Sequence, residues 1–171
     1  MTAGRAYPGA FTLVELVLVM ALLVVMLAVA APSLGRSFRQ RNLDQQAVRL
    51  LALTEYARDE AASQGIPMIV WIDPDSRRFG VDTHTGYTAN AARIKEYLLP
   101  ADVTFDPIDG AQASKTEGHG FDVAEFTPDG TLDPASAATI RLSGHNHADG
   151  ATVTQTADGY GYEIVKGGGK P

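Results

Sequence analysis

Cysteine is absent from the 171 residues, and tryptophan occurs once. Without cysteine the chain forms no disulfide and offers no thiolate as nucleophile or metal ligand. The absence suits any compartment, so it places the protein nowhere. A basic excess is missing as well: 14 Lys+Arg stand against 20 Asp+Glu, a formal charge of −6. A nucleic-acid binder normally carries a basic surface that neutralises phosphates, so no nucleic-acid partner is expected. No P-loop and no G-x-G-x-x-G occurs, and no Ser-His-Asp or paired-carboxylate motif has a recognisable setting. Nothing nominates a catalytic residue or a cofactor.

What is present is one long apolar run. Leu16–Gly35 carries no charge and Leu16–Ala31 is apolar throughout. As a helix, about 20 apolar residues cross the ~30 Å hydrocarbon core, so the segment reads as a membrane anchor or a signal sequence. It is longer than the ~7–15 apolar residues of a signal peptide, and only Arg5 precedes it, although Ala28-Val29-Ala30 offers a small-residue cleavage site. Glu15 stands at its mouth. A carboxylate at the edge of an apolar segment sits cheaply in headgroups, but inside lipid it marks a function or a partner.

Gly9-Ala10-Phe11-Thr12-Leu13-Val14-Glu15-Leu16, leading into that run, strongly resembles the processing motif of type IV pilins and pseudopilins. The resemblance implies a leader, 1–10, cut at the Ala10–Phe11 bond by a prepilin peptidase, and Phe11 as the methylated N-terminus. It also implies that Glu15 is the assembly acid. The family usually has Gly directly before the cut, whereas here Gly9 lies one place early. Cleavage after Gly9 would put Glu15 one step out of register. Charge neutralisation gives the physical logic: cleavage creates an ammonium near lipid, and a carboxylate on the same or a neighbouring subunit can pair with it. Stripping one partner from a buried pair costs ~3–5 kcal/mol.

The basic residues Arg36, Arg39 and Arg41 follow the span, and only Arg5 precedes it. Counted alone, they would put the C-terminal side in the cytoplasm. The resemblance implies the reverse, a single pass through the inner membrane with the C-terminal domain in the periplasm.

Helical character continues beyond the span, and Pro32 is expected to kink it. Leu43, Ala47, Leu50, Thr54, Ala57 and Ala61 fall on one stripe, with Asp44, Arg49, Glu55, Asp59 and Glu60 off it. Gly65 before Ile66-Pro67 is a stop signal. The expected plan is therefore 11–35 transmembrane, 36–65 amphipathic helix, 66–166 a β-sheet domain, and 167–171 a tail. Strands are expected at Ile66–Asp73, Arg78–Thr83, Tyr97–Leu99, Val103–Phe105, Asp122–Phe126, Thr139–Leu142, Ala151–Gln155 and Tyr160–Val165. They are read as one antiparallel sheet of about six or seven strands laid on the helix. This is an α+β, pilin-like fold.

The segment Tyr56-Ala57-Arg58-Asp59-Glu60-Ala61, the IPMIVWID strand and Phe126-Thr127-Pro128-Asp129-Gly130 together resemble the H-type minor pseudopilins of type II secretion. That resemblance implies a subunit of a pseudopilus. Its partners would be other pseudopilins contacted through the N-terminal helix, the prepilin peptidase, and an inner-membrane assembly platform with its ATPase. The alternative is a minor pilin of a type IV pilus, serving adhesion, motility or DNA uptake. An exported enzyme on a signal anchor is a third reading, for which no substrate is suggested. His145-Asn146-His147 reads as a solvated loop, because zinc needs three or four ligands. Asp73, Asp75 and Asp82 read as turn residues rather than calcium ligands.

Overall fold

The computed structural model describes residues 12–87, 94–107, 120–144 and 150–165, with the backbone alone at 29–39. The chain divides into two units, Met1–Phe38 and Arg39–Pro171, and helix α1 (Leu13–Gln64) contributes to both.

In the second unit, α1 ends where the sequence signals it. Gly65 takes φ 66°, a left-handed conformation that only glycine adopts at no cost, and its N–H reaches Ala61 O at 2.9 Å. Pro67 cannot donate to a sheet ladder, so β1 begins just after it, at Met68–Asp73. The turn into β2 (Arg78–Thr83) is organised by Asp73, whose carboxylate accepts from the backbone N–H of Asp75 and of Ser76 at 3.1 and 3.2 Å. This is the self-bonding that makes Asp a turn residue.

The remaining strands are β3 (Lys95–Leu98), β4 (Val103–Phe105), β5 (Phe121–Phe126), β6 (Thr139–Gly144), β7 (Gly150–Gln155) and β8 (Tyr162–Val165). The expected single sheet is not what forms. Two four-stranded antiparallel sheets stand in its place, ordered β3-β2-β1-β5 and β4-β6-β7-β8. Two local events separate them. After β3, the Leu99 N–H bonds back to Arg77 O at 2.8 Å, and Pro100 opens the turn that sends β4 to pair with β6. The outer edge of β5 is then occupied by the non-strand segment 132–137. Asp133 N–H and Ala137 N–H donate to Glu125 O and Val123 O, each at 2.8 Å, and Glu125 N–H donates to Ser136 Oγ. With that edge satisfied, β6 has no ladder to join there.

One core joins the amphipathic part of α1 to both sheets. Leu43, Ala47, Leu50, Ala57 and Ala61 pack with Met68, Val70, Ile72, Phe79 and Val81 of one sheet, and with Val103, Ile140, Leu142 and Val153 of the other. Burying each large side chain stabilises the fold by ~1.5–3 kcal/mol. The alanines are fully buried and let strands approach the helix closely. Trp71 lies on the opposite face of β1, only 4 % exposed, across from Gly80. A Cβ at position 80 would come within 2.7 Å of the indole and 2.5 Å of Lys95 O, so this site admits only glycine.

Candidate functional site

The sequence directs attention first to the start of α1. Thr12 is its N-cap: the Glu15 N–H donates to Thr12 Oγ1 at 3.3 Å and the Leu16 N–H to Thr12 O at 3.2 Å. Glu15 is the acid of the first turn, where the partial positive charge of the helix end favours a carboxylate. Behind it the helix is apolar on every side. All described side chains from Thr12 to Ala28 are exposed, among them Leu13 at 79 %, Val17 at 59 % and Leu27 at 65 %. A helix hydrophobic all round needs cover from outside itself. Among the described residues no helix is long and apolar enough to cross a membrane; in sequence the apolar run continues to Ala31, past the last described side chain before the gap, at Ala28. Ala10 and Phe11 lie outside the described residues. Pro32 lies within the helical backbone, and its side chain lies outside them.

In the second unit, the expected stripe of α1 is the buried one: Leu43, Ala47, Leu50, Thr54, Ala57 and Ala61 are all below 2 % exposed. Gln46 shares this face at 6 % exposure, and its Oε1 has no hydrogen-bond partner among the described residues. Two cations pin β3 to the helix. Lys95 Nζ sits 3.4 Å from the Tyr56 ring centre, and the Arg49 guanidinium lies 5.1 Å from that of Tyr97. Asn42 reaches the turn between β3 and β4 through Asp102 at 3.0 Å.

Two further arrangements were not anticipated: a hollow beside β5 and the joining of two turns that the sequence marks separately. A hollow of about 220 Å³ beside β5 is lined by His84, Asp122, Glu125, Asp133 and Ser136. His84 Nε2 lies 3.8 Å from Glu125 Oε1. Burial pushes the Glu125 carboxyl above its usual range; His84 opposes that shift, and Asp133 and Asp122 add to it. The second feature is a pair of turns, Thr127-Pro128-Asp129-Gly130-Thr131 and Thr156-Ala157-Asp158-Gly159-Tyr160, joined by Leu132 N–H to Gly159 O at 3.2 Å. In the first, bonds from Thr127 and then Thr131 draw the Asp129 carboxyl down to about 2. In the second, the Thr156 hydroxyl and then the Tyr160 N–H hold the Asp158 carboxyl below its usual range. The repeated Thr-x-Asp-Gly spacing was the available sign of this pair.

Asp73 is engaged in its turn, and Asp82 accepts the Thr83 N–H at 2.7 Å. Among the described residues no group of three or more His, Cys, Asp or Glu is placed to hold a metal ion. His119, His145 and His147 lie outside the described residues.

One long helix, apolar all round at its start and amphipathic where it packs on antiparallel sheet, is the architecture of a pilin-like subunit. Residues 46–159 match the family described as Type II transport protein GspH. The chain belongs to this family, and its role is that of a minor pseudopilin, a structural subunit of type II secretion.

Among solved structures the chain is similar to the minor pseudopilin EpsH from the Type 2 Secretion System of Vibrio cholerae. One such structure is 17 % identical over 72 % of this chain and 93 % of that one, with a TM-score of 0.45. A second is 18 % identical over 77 % and 96 %, at 0.47. It is also similar to the type IV minor pilin FimU of Pseudomonas aeruginosa, 20 % identical over 77 % and 92 %, at 0.47. No curated protein sequence matches.

Proposed function

We propose that the subunit is held in the inner membrane by a single pass over 11–35, with 66–166 in the periplasm, and is then drawn into a pseudopilus. Leader 1–10 is removed at the Ala10–Phe11 bond by a prepilin peptidase, Phe11 is methylated, and Glu15 neutralises the new ammonium in its own or a neighbouring subunit. Other pseudopilins are its partners through the N-terminal helix, and an inner-membrane platform drives assembly. Pro32 bends the helix where it leaves the apolar span, and 167–171 is a tail. The protein does no chemistry of its own in this scheme.

The observation that supports this reading is the exposed apolar helix. Large apolar residues from Leu13 to Leu27 are 41–79 % exposed, whereas soluble proteins rarely expose a contiguous patch above a few hundred Å². Lipid and neighbouring helices are the two covers this surface fits.

The test is the intact mass and N-terminal sequence of the protein recovered from its host's membranes. A start at Phe11 with one added methyl is the expected result. A start at Met1 or beyond Ala30 overturns the processing scheme. Deletion of the gene is expected to abolish exoprotein secretion; lost twitching, adhesion or transformation with secretion intact would assign the subunit to a type IV pilus.

A further inference from the structure

The hollow beside β5 is bounded by segment 132–137, which stands where a neighbouring strand would. The segment is pinned at its two ends, by Leu132 N–H to Gly159 O at 3.2 Å and by the Tyr162 hydroxyl to Ala137 O at 2.8 Å. Between these pins it holds β5 through Asp133 N–H to Glu125 O at 2.8 Å and through Ser136 Oγ, which accepts the Glu125 N–H at 3.0 Å. Asp133-Pro134-Ala135-Ser136 carries no large side chain, and Pro134 and Ala135 are exposed. A stretch with so little buried apolar surface belongs to the parts of a fold that open locally.

Across the hollow, His84 Nδ1 lies 3.0 Å from Thr85 O. A carbonyl oxygen only accepts, so Nδ1 holds the proton of the neutral ring and Nε2 is bare. That bare nitrogen faces Glu125 Oε1 at 3.8 Å. With Glu125 ionised, two acceptors confront each other and no proton lies between them. One proton from solvent, on either atom, turns the confrontation into a hydrogen bond.

The surrounding groups make that proton matter. β1 contributes the apolar Ile69 to the hollow, β5 contributes Asp122 and Glu125, and segment 132–137 contributes Asp133. Among the described residues no Lys or Arg lines it, so His84 is the one group there that can become a cation. Burial raises the Glu125 carboxyl above its usual range, a charged His84 lowers it, and Asp133 and Asp122 raise it further.

We propose that His84 and Glu125 take up one proton between them and so fasten segment 132–137 onto β5, which gives the fold a pH-gated sheet edge. Without the proton, the Glu125 carboxylate repels Asp133 on the segment that covers it. The closed form therefore binds the proton more tightly than the open form. Closure is favoured at low pH and is lost as pH rises through the value at which the pair releases its proton. An opened segment leaves the edge of β5 free to pair with another strand. Nothing in this arrangement depends on the membrane placement proposed above.

The experiment is residue-resolved amide exchange by NMR on the full-length protein in detergent, at about pH 7 and about pH 5, with Glu125→Gln and His84→Gln alongside. Protection of the Asp133 and Glu125 N–H groups is expected to rise in acid by about three-fold relative to the amides of β1, the scale of one partly exposed charge interaction. Glu125→Gln offers Nε2 a donor at every pH and is expected to abolish the rise; His84→Gln is expected to shrink it. The ring nitrogen shifts of His84 should place its proton on Nδ1 at pH 7. Protection that changes in step with β1, a rise that survives Glu125→Gln or persists undiminished in His84→Gln, or a neutral ring protonated on Nε2, each overturns the inference.

Discussion

From Leu16 to Leu27, α1 is apolar on every side and its side chains are exposed; from Leu43 to Ala61 it is apolar on one side, and that side is buried. The two stretches use similar residues for different purposes. In the second, the chain supplies its own cover, so a period of 3.6 selects which residues are apolar. In the first, the cover proposed above, lipid and neighbouring helices, lies outside the chain and would surround the helix, which fits the absence of a period. Burial by the chain itself and burial by its surroundings thus leave different marks on one helix.

Removing apolar volume on each side of this divide should give the largest contrast. Leu50 is fully buried in the core shared by α1 and both sheets. Leu50→Ala is expected to lower unfolding stability by ~2–5 kcal/mol. Urea titration of the full chain in detergent reads this through the single tryptophan, Trp71, which belongs to the second unit. Leu22→Ser removes a similar side chain that is 53 % exposed and should leave the same transition within about 0.5 kcal/mol. Its effect should appear as weaker retention in membranes. Equal losses in both variants would mean that the distinction between the two stretches is wrong.

A smaller effect sharpens the buried side. Gln46 is a polar side chain on the buried face, and its Oε1 is out of reach of water with no donor among the described residues. Gln46→Met keeps the unbranched shape and removes the orphan acceptor. It is expected to raise stability by about 1 kcal/mol, the scale of a buried unsatisfied group. A loss of stability instead would show that a bound water satisfies the amide in solution.

These contrasts also explain what was legible in advance. The stripe Leu43–Ala61, the stop at Gly65 and the strand positions were readable because each is written in local spacing or turn chemistry. The division into two sheets was not. It depends on segment 132–137, whose N–H groups close the edge of β5, and Asp133-Pro134-Ala135-Ser136 carries no strand pattern to announce that. Thr12 was legible as part of a family motif, but its capping geometry appears only with coordinates. His84 and Glu125 lie far apart in sequence, and only the pairing of β1 with both β2 and β5 brings their neighbourhoods together.

The finest test concerns that last pair, because there burial works against an ionised group. The Glu125 carboxyl is raised in the folded protein by burial, with Asp133 and Asp122 adding like charge and His84 only partly compensating. A carboxyl with a raised folded pKa binds its proton more tightly in the fold. The fold therefore loses stability as pH rises from the ordinary carboxylate range through the raised value. Asp129 has the opposite sign: lowered to about 2, it contributes stability at neutral pH that disappears as pH falls toward 2. The difference between wild type and Glu125→Gln isolates the first effect, since Asp129 and Asp158 titrate identically in both proteins and cancel. Glu125→Gln is expected to have the higher urea midpoint at pH 7, and the advantage should vanish by pH 3.5, where the carboxyl is protonated in both states. A gain that stays constant with pH would trace it to packing of the amide. A loss at pH 7 would mean that the contact with His84, at 3.8 Å, outweighs burial.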